Sequence, residues 1–255
     1  MNDTHRDGEP EEAAAAAASC PICASTHTPP YKEVGTYRFR RCEACAFVYL
    51  DPMPTEMALE SIYNNDGAIT PNYYPKAGSR YRRALSTAFH LYRFARGRSV
   101  LDVGCGGGFQ VGAFRFFRLE ASGLDISADS IAYAQARFRS ARFYCEEFSK
   151  FEKRNLKFGF IYSSEVIEHV PIVSEYMNFL NNIIEKDGFI YITTPDMGSP
   201  RVPANVLDWD VFNPPRHVQF FRESNLVDLF AQHGFAFVKR FADPKTGLRV
   251  LFRKT

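Results

Sequence analysis

The sequence predicts an α/β protein: a mostly parallel sheet ending in an antiparallel strand, preceded by a small four-cysteine zinc ribbon. Three observations carry that expectation. From Ser99 onward, short apolar strands alternate with helical stretches. Such alternation implies right-handed crossovers and a parallel sheet covered on both faces. At the C-terminal end, FAFVKRF (235–241) and GLRVLFR (247–253) are separated only by ADPKT. That link is too short for a parallel crossover, so the two strands pair antiparallel. Near the N-terminal end, CPIC and CEAC give a C-x2-C, 18 residues, C-x2-C pattern.

The bulk numbers agree with an ordinary globular chain. It has 255 residues, 45% hydrophobic and 24% charged, enough for one large domain, or one domain plus a small module. No apolar run approaches the roughly 20 residues of a membrane span, so no membrane partner is expected. The opening MNDTHRDGEPEEAAAAAAS lacks a basic segment followed by an apolar core and does not read as a secretory signal. Residues 1–18 read as a disordered tail, and the default compartment is the cytoplasm. A net charge of +2 is too small to argue for nucleic acid. Arg80, Arg82, Arg83, Arg93, Arg96 and Arg98 cluster locally. A solvated helix face is the favoured reading of that cluster, and contact with a phosphate-bearing substrate the sharper one.

Residues 19–50 form the predicted ribbon. Cys20, Cys23, Cys42 and Cys45 stand at the spacing of a four-thiolate zinc site. The segment between the pairs suits a short β-hairpin. A disulfide pair is disfavoured because nothing points to an oxidising compartment. Four cysteine ligands leave no open coordination position, so the zinc is read as structural. Residues 51–96 read as a linker and helices capping the site: two prolines, a short helix, a loop, then an amphipathic helix over 80–95. Residues 97–255 form the main domain. Strands are predicted at 99–103, 120–125, 141–145, 158–163 and 188–194. Helices are predicted near 109–118, 127–138, 172–185 and 223–233.

LDVGCGGGF follows the first of these strands and opens a helix. In open α/β sheets ligands bind at the carboxyl ends of strands. Glycines let the backbone approach a ligand, and amides at a helix start favour an anion. The dinucleotide pattern G-x-G-x-x-G fails because Phe109 occupies the third glycine position. No Gly-Lys-Ser/Thr follows, which excludes a P-loop. The next strand ends at Asp125, 21 residues after Gly104. An acid there can accept both hydroxyls of a ribose. The loop and acid together suit an adenosine-like ribose with a small anionic group, which S-adenosylmethionine offers.

LDVGCGGGF, GLDIS, FGFIYSSEVIEHV and GFIYITTPD resemble the successive motifs of class I S-adenosylmethionine-dependent methyltransferases, over residues 97–255. The similarity runs toward the branch containing the ubiquinone-pathway O-methyltransferases. The segment CPIC to RCEACAFVYLDPMP resembles the zinc ribbons of bacterial sugar and cell-surface-glycan methyltransferases. The resemblance implies a Rossmann-like seven-stranded, mostly parallel sheet with a reversed last strand. It implies that Asp102, Gly104 and Gly106 line the cofactor and that Asp125, followed by Ile126, holds the ribose. It also implies that Glu146 or Glu147 sits by the adenine and that Ser164 lies beneath the methionine part. The fourth strand departs from the family in one place, carrying Gly159 where an acid is usual.

The acceptor side rests on SEVIEHV (164–170). On a helix, Glu165, Glu168 and His169 would share one face. Val170 and Pro171 follow at once, so the segment also reads as a turn before a helix beginning at 171–172. His217 lies in a later loop. E-x-x-E-H resembles the divalent-metal motif of the ubiquinone-pathway enzymes, and with the later histidine that of small-RNA 2′-O-methyltransferases. The resemblance implies a second metal on Glu165, Glu168, His169 and His217; a histidine acting as a structural plug is the competing reading. His90 and His233 read as surface or packing residues. Trp209 and Phe212 are expected in a lid or acceptor wall, and Tyr73 and Tyr74 over the cofactor.

The resulting expectation is an enzyme that methylates a small hydroxylated metabolite or sugar, on oxygen in preference to carbon or nitrogen. An RNA methyltransferase gripping its substrate through ribbon and arginines is the alternative, disfavoured by the near-neutral charge. A non-catalytic partner-binding protein is a further one, disfavoured by the intact set from Asp102 to Asp125. Acceptor identity and oligomeric state stay open.

Overall fold

The computed structural model describes residues 19–55 and 74–255. The expected tail at 1–18, the short helix after the prolines and Tyr73 lie outside them.

Three short strands open the chain: β1 (Pro30–Val34), β2 (Tyr37–Arg41) and β3 (Val48–Leu50). Helix α1 (Ala77–Ala95) follows, burying Ala84, Ala88, Leu91 and Ala95. Those positions fall on one stripe of a 3.6-residue period, and the arginines fall off it. Arg80, Arg82, Arg83, Arg93 and Arg96 are exposed, as expected of a solvated face.

The alternation then runs as predicted. β4 (Ser99–Val103) leads to α2 (Phe109–Phe116), β5 (Glu120–Asp125) to α3 (Ala128–Arg137), and β6 (Arg142–Cys145) to a short α4 (Phe148–Glu152). β7 (Phe158–Ser164) connects through a 3₁₀ turn (Ile167–His169) to α5 (Val173–Ile183) and β8 (Ile184–Pro195). After a long loop come β9 (Gln219–Phe220), α6 (Glu223–Gln232), β10 (Phe235–Arg240) and β11 (Gly247–Lys254). Val100, Leu101 and Val103 are fully buried, because a central parallel strand is covered on both faces. Ser127 starts α3 by accepting the Ser130 amide at 3.2 Å, an N-cap the sequence advertises.

The main sheet has seven strands in the order β10-β11-β8-β7-β4-β5-β6. β7–β4–β5–β6 and β7–β8 are parallel, while β11 runs antiparallel to both β8 and β10. The chain reverses its direction of travel between β4 and β7, so a ligand-binding crevice forms beyond their carboxyl ends.

One boundary differs from the sequence pattern. The helix expected over 172–185 ends at Ile183, and β8 begins immediately with Ile184 opposite Phe158. Glu185 and Lys186 are good helix formers, but sheet pairing prevails over local propensity.

The ribbon does not close on itself. Its sheet has four strands, β1-β2-β3-β9, and the fourth comes from far along the chain. Trp209 and Phe212 belong to this core. Both are buried with Phe39, Val48, Leu50 and Phe220, and Phe212 stacks on Phe220 at 4.8 Å between ring centroids. The expected lid is therefore packing, because the large aromatic rings fill the space under a two-layer ribbon. Among the described residues no helix is long and apolar enough to cross a membrane.

Candidate functional site

The crevice begins at the glycine loop. Gly104, Gly106 and Gly108 have φ of 72°, 48° and 72°, a region other L-residues enter only at a cost. Gly104 is also held by space: a Cβ there would lie 2.4 Å from Val166 Cγ2. Asp125, at the end of β5, is gripped by this loop. Its Oδ2 accepts the Gly106 amide at 2.8 Å, and its Oδ1 accepts the Ser127 amide at 2.9 Å. Asp102 is buried one strand away, and burial followed by the Asp125 charge pushes its carboxyl well above the usual range. Two acids thus face one loop. Tyr74 lies on that loop, its ring edge-on to Phe109 at 5.2 Å.

Beyond β5 and β6 a cavity of about 210 Å³ is lined by Ile126, Cys145, Glu146, Glu147 and Lys150. Both acids predicted for this place line it, but their chemistry differs. Glu146 is engaged by Arg154 through two bonds, at 2.8 and 2.5 Å, and that bonding lowers its pKa. Glu147 starts α4 with no side-chain cap bond. Cys145 reads from the sequence only as a cysteine outside the ribbon with no metal assigned, and Lys150 not at all, because a lone cysteine and a surface lysine carry no spacing signal.

The four ribbon cysteines converge. Cys20 Sγ lies 3.6 Å from Cys45 Sγ, and Cys23 Sγ lies 3.5 Å from Cys42 Sγ. All four sulfurs fall within 4.8 Å of one another. Four sulfurs around a tetrahedral zinc at about 2.3 Å stand about 3.8 Å apart, so the constellation fits that ion. These separations are too long for disulfide bonds. Burial pushes the Cys20 thiol up to about 11 and Cys45 higher still, so thiolates at those two need a compensating cation. At Cys42 burial is outweighed by hydrogen bonds from the knuckle, which bring the thiol down to about 7.

The acceptor-side residues occupy the far end of β7. Segment 165–169 is not a helix: Glu165 sits at φ 57° and a 3₁₀ turn begins at Ile167. The two glutamates do not share a helix face: each takes its own threonine hydroxyl, and their carboxyls stay within hydrogen-bonding reach of one another. Glu165 Oε1 accepts the Thr193 hydroxyl at 2.9 Å, and Thr193 also meets Ser164 at 2.6 Å. Glu168 is completely buried, and its Oε2 accepts the Thr194 hydroxyl at 3.0 Å. Its Oε1 is buried with no hydrogen-bond partner among the described residues. Burial first, and the Glu165 charge second, push the Glu168 carboxyl well above the usual range.

His217 comes to meet this turn. Its ring centroid lies 4.7 Å from that of His169. Ligand atoms of Glu168, His169 and His217 all fall within 4.8 Å of one another. Each ring is oriented through Nδ1, His169 by the Arg216 carbonyl at 2.6 Å and His217 by the Val211 carbonyl at 2.7 Å. A carbonyl only accepts, so Nδ1 carries the proton and Nε2 carries the lone pair in each neutral ring. Burial holds His169 down at about 4, with His217 adding to the effect, and burial lowers His217 too. Both rings are neutral near pH 7. Two lone-pair nitrogens and a buried carboxylate oxygen without a donor fit a divalent metal, with backbone carbonyls as the outer support such ligands use. Glu165 stands outside this trio.

His90 is exposed and His233 caps α6, each ring bonded to a carbonyl of its own helix. Thr193 and Thr194 were invisible as site residues because TTP reads as a strand end. Gln219 gave no signal at all: it is 1% exposed, and its side-chain amide donates to the Ile167 carbonyl at 2.7 Å and the Val170 carbonyl at 2.9 Å.

Comparison with known proteins bears on this geometry. A ubiquinone biosynthesis O-methyltransferase from Glaesserella parasuis is 30% identical over 107 residues, covering 38% of this chain and 45% of that protein. A ubiquinone biosynthesis O-methyltransferase from Bradyrhizobium is 24% identical over 165 residues, covering 58% of this chain and 64% of its own length. The chain thus spans about half to two thirds of the curated relatives it matches. The fold is also that of the magnesium protoporphyrin IX methyltransferase from Synechocystis, solved with bound SAH. The TM-score is 0.58 at 14% identity, covering 80% of this chain and 96% of that one. A family model described as a methyltransferase domain matches residues 76–240, well over half of the sequence. On that match, which spans the glycine loop and the acid at the end of β5, this chain belongs to the methyltransferase-domain family.

Proposed function

We propose that the protein transfers a methyl group from S-adenosylmethionine to a hydroxyl of a small molecule, a hydroxylated metabolite or a sugar derivative. The observation that carries the acceptor half is the Glu168–His169–His217 trio beyond β7. Ser164 ends the same strand, so donor and acceptor groups share one crevice.

On the donor side, Asp125 accepts the ribose hydroxyls, and Gly104 and Gly106 allow the methionine part to lie against the loop. Ile126 and Glu147 border the adenine, with Glu146 tied back by Arg154. Asp102 and Asp125 are two acids with raised carboxyls, and a cationic ligand beside them would relieve their mutual repulsion. The cofactor's ammonium and sulfonium are such cations.

The chemistry is an in-line displacement. An acceptor oxygen attacks the methyl carbon, the carbon–sulfur bond breaks, its electron pair stays on sulfur, and the acceptor proton leaves. Alignment supplies most of the rate, and removal of the proton supplies the rest. A divalent metal on Glu168, His169 and His217 would lower the acceptor hydroxyl's pKa. The protein's own part is to hold both histidines neutral, each with Nε2 as its lone-pair nitrogen. The ribbon's four cysteines hold a structural zinc in this reading.

Calorimetry with S-adenosylhomocysteine tests the donor half, and no binding would overturn it. Methylation of a panel of hydroxylated metabolites, with and without EDTA, tests the acceptor half. Activity that survives EDTA, with His217→Ala unharmed, would remove the metal from the mechanism.

A further inference from the structure

The ribbon sheet is completed by β9, and β9 is also what holds the Glu168–His169–His217 turn. Two chains of contacts converge there. Leu50 of β3 donates its amide to the Val218 carbonyl at 2.8 Å, and Val218 donates its own amide to the Glu168 carbonyl at 3.0 Å. Val218 thus links a ribbon strand directly to the peptide of the buried glutamate. The next residue, Gln219, pairs with Tyr49 of β3 through its backbone. Its side chain spends both amide hydrogens on the Ile167 and Val170 carbonyls, which bracket Glu168 and His169.

The same strand is tied to the cysteine knuckle. The Cys42 amide donates to the Phe47 carbonyl at 2.8 Å, and Phe47 leads into β3. Asn225, at the start of α6, donates to the Cys45 carbonyl at 3.1 Å, and Phe47 packs on Phe221 at 5.0 Å. The knuckle, β3, β9 and the 3₁₀ turn therefore form one buried, hydrogen-bonded unit. A turn of three residues carries few bonds of its own, so its geometry is set by whatever holds its carbonyls. His217 immediately precedes Val218 and takes its position from the same anchor.

We propose that the four-cysteine ribbon is a positioning device for the trio and that Gln219 is the positioning residue through which it acts. Gln219 contacts neither cofactor nor acceptor. It fixes the separation of Glu168 and His169 from His217, and the ribbon metal fixes Gln219. Loss of that metal, or oxidation of its thiolates, would dissolve the acceptor-side trio and leave the glycine loop intact. The inference extends the acceptor-site reading above, but its readout does not need methyl transfer.

The test uses the full metal-loaded chain and two near-isosteric variants, Gln219→Met, which removes both donors, and Gln219→Glu, which leaves at most one. Ring resonances of all histidines are followed by NMR, with amide exchange of segments 163–172 and 100–112. The expected result is displacement of the His169 and His217 resonances and roughly tenfold or more faster exchange in 163–172. His90 and segment 100–112 stay unchanged, and S-adenosylhomocysteine affinity stays within about twofold. Stripping the ribbon metal from the parent chain with a mercurial is expected to give the same His169 and His217 displacement and the same faster exchange in 163–172. Cys105 lies in 100–112 and Cys145 lines the cavity, so the other two readouts are taken from the Gln219 variants. Unchanged His169 and His217 resonances, in the variants or after stripping, would overturn the proposal. So would an exchange increase spread equally over 100–112, which would make Gln219 ordinary core. Should both variants fail to fold, the stripped parent decides. A parent chain that binds no S-adenosylhomocysteine would refute the methyltransferase reading and leave the coupling measurable.

Discussion

His169 and His217 face each other at 4.7 Å between ring centroids, each anchored through Nδ1 to a backbone carbonyl. They come from different loops, and their approach turns a sequence motif into a possible ligand set. Asp125, two strands from β7, is the matching residue on the proposed donor side.

Under the proposed function, removing either histidine removes a metal ligand. His217→Ala is expected to lower methylation by at least on the order of 100-fold while leaving S-adenosylhomocysteine binding unchanged. Losses of 10–100-fold follow disruption of even the outer support of metal ligands. EDTA is expected to reproduce the loss and added Mn²⁺ to reverse it, as read by turnover of the purified protein.

Asp125→Ala unties Gly106 and Ser127 and, in the proposed reading, removes the ribose acceptor. Charge-assisted hydrogen bonds contribute about 1.5–3 kcal/mol each. S-adenosylhomocysteine affinity is therefore expected to fall at least on the order of 100-fold by calorimetry. A fall of less than tenfold would place the ribose elsewhere.

Gly104→Ala meets two obstacles, a φ of 72° and a Cβ 2.4 Å from Val166. Backbone strain of this kind costs on the order of 1–3 kcal/mol, and the clash adds to it. The expected outcome is a drop in Tm that Val166→Ala restores only in part. Full restoration would show that strain at φ contributes nothing.

The depressed histidines make stability depend on pH. His169 titrates near 4 in the folded chain and near 6.5 unfolded. Between those values the unfolded state binds more protons, so stability is full above pH 6.5 and is lost as pH falls toward 4. Glu168, raised, acts in the opposite sense: its contribution is present at low pH and is lost as pH rises through its folded value. Comparing urea midpoints of the parent and His169→Gln at pH 4.5 and 7 isolates the histidine. The variant is expected to lose less stability than the parent on acidification.

Periodicity and spacing made most of the fold legible. Strand–helix alternation gave the parallel sheet, and the five-residue link between the last strands fixed their antiparallel pairing, because both are consequences of local sequence. The glycine loop and Asp125 were legible for the same reason: each sits at a strand end, where chain geometry leaves little choice. The four cysteines were legible because two C-x2-C knuckles at this separation form a pattern that spacing alone reveals.

The tertiary structure decided what depends on contacts between distant residues. It tied Glu165 to Thr193 and Glu168 to Thr194, because a left-handed residue followed by a 3₁₀ turn replaces the helix face that the spacing offered. It brought His217 to His169, moved Trp209 and Phe212 into the ribbon core, and gave the ribbon its fourth strand. It assigned Gln219 a place between ribbon and turn. None of these follows from composition or period, since each is fixed by hydrogen bonds and packing between segments that meet only when the chain is folded.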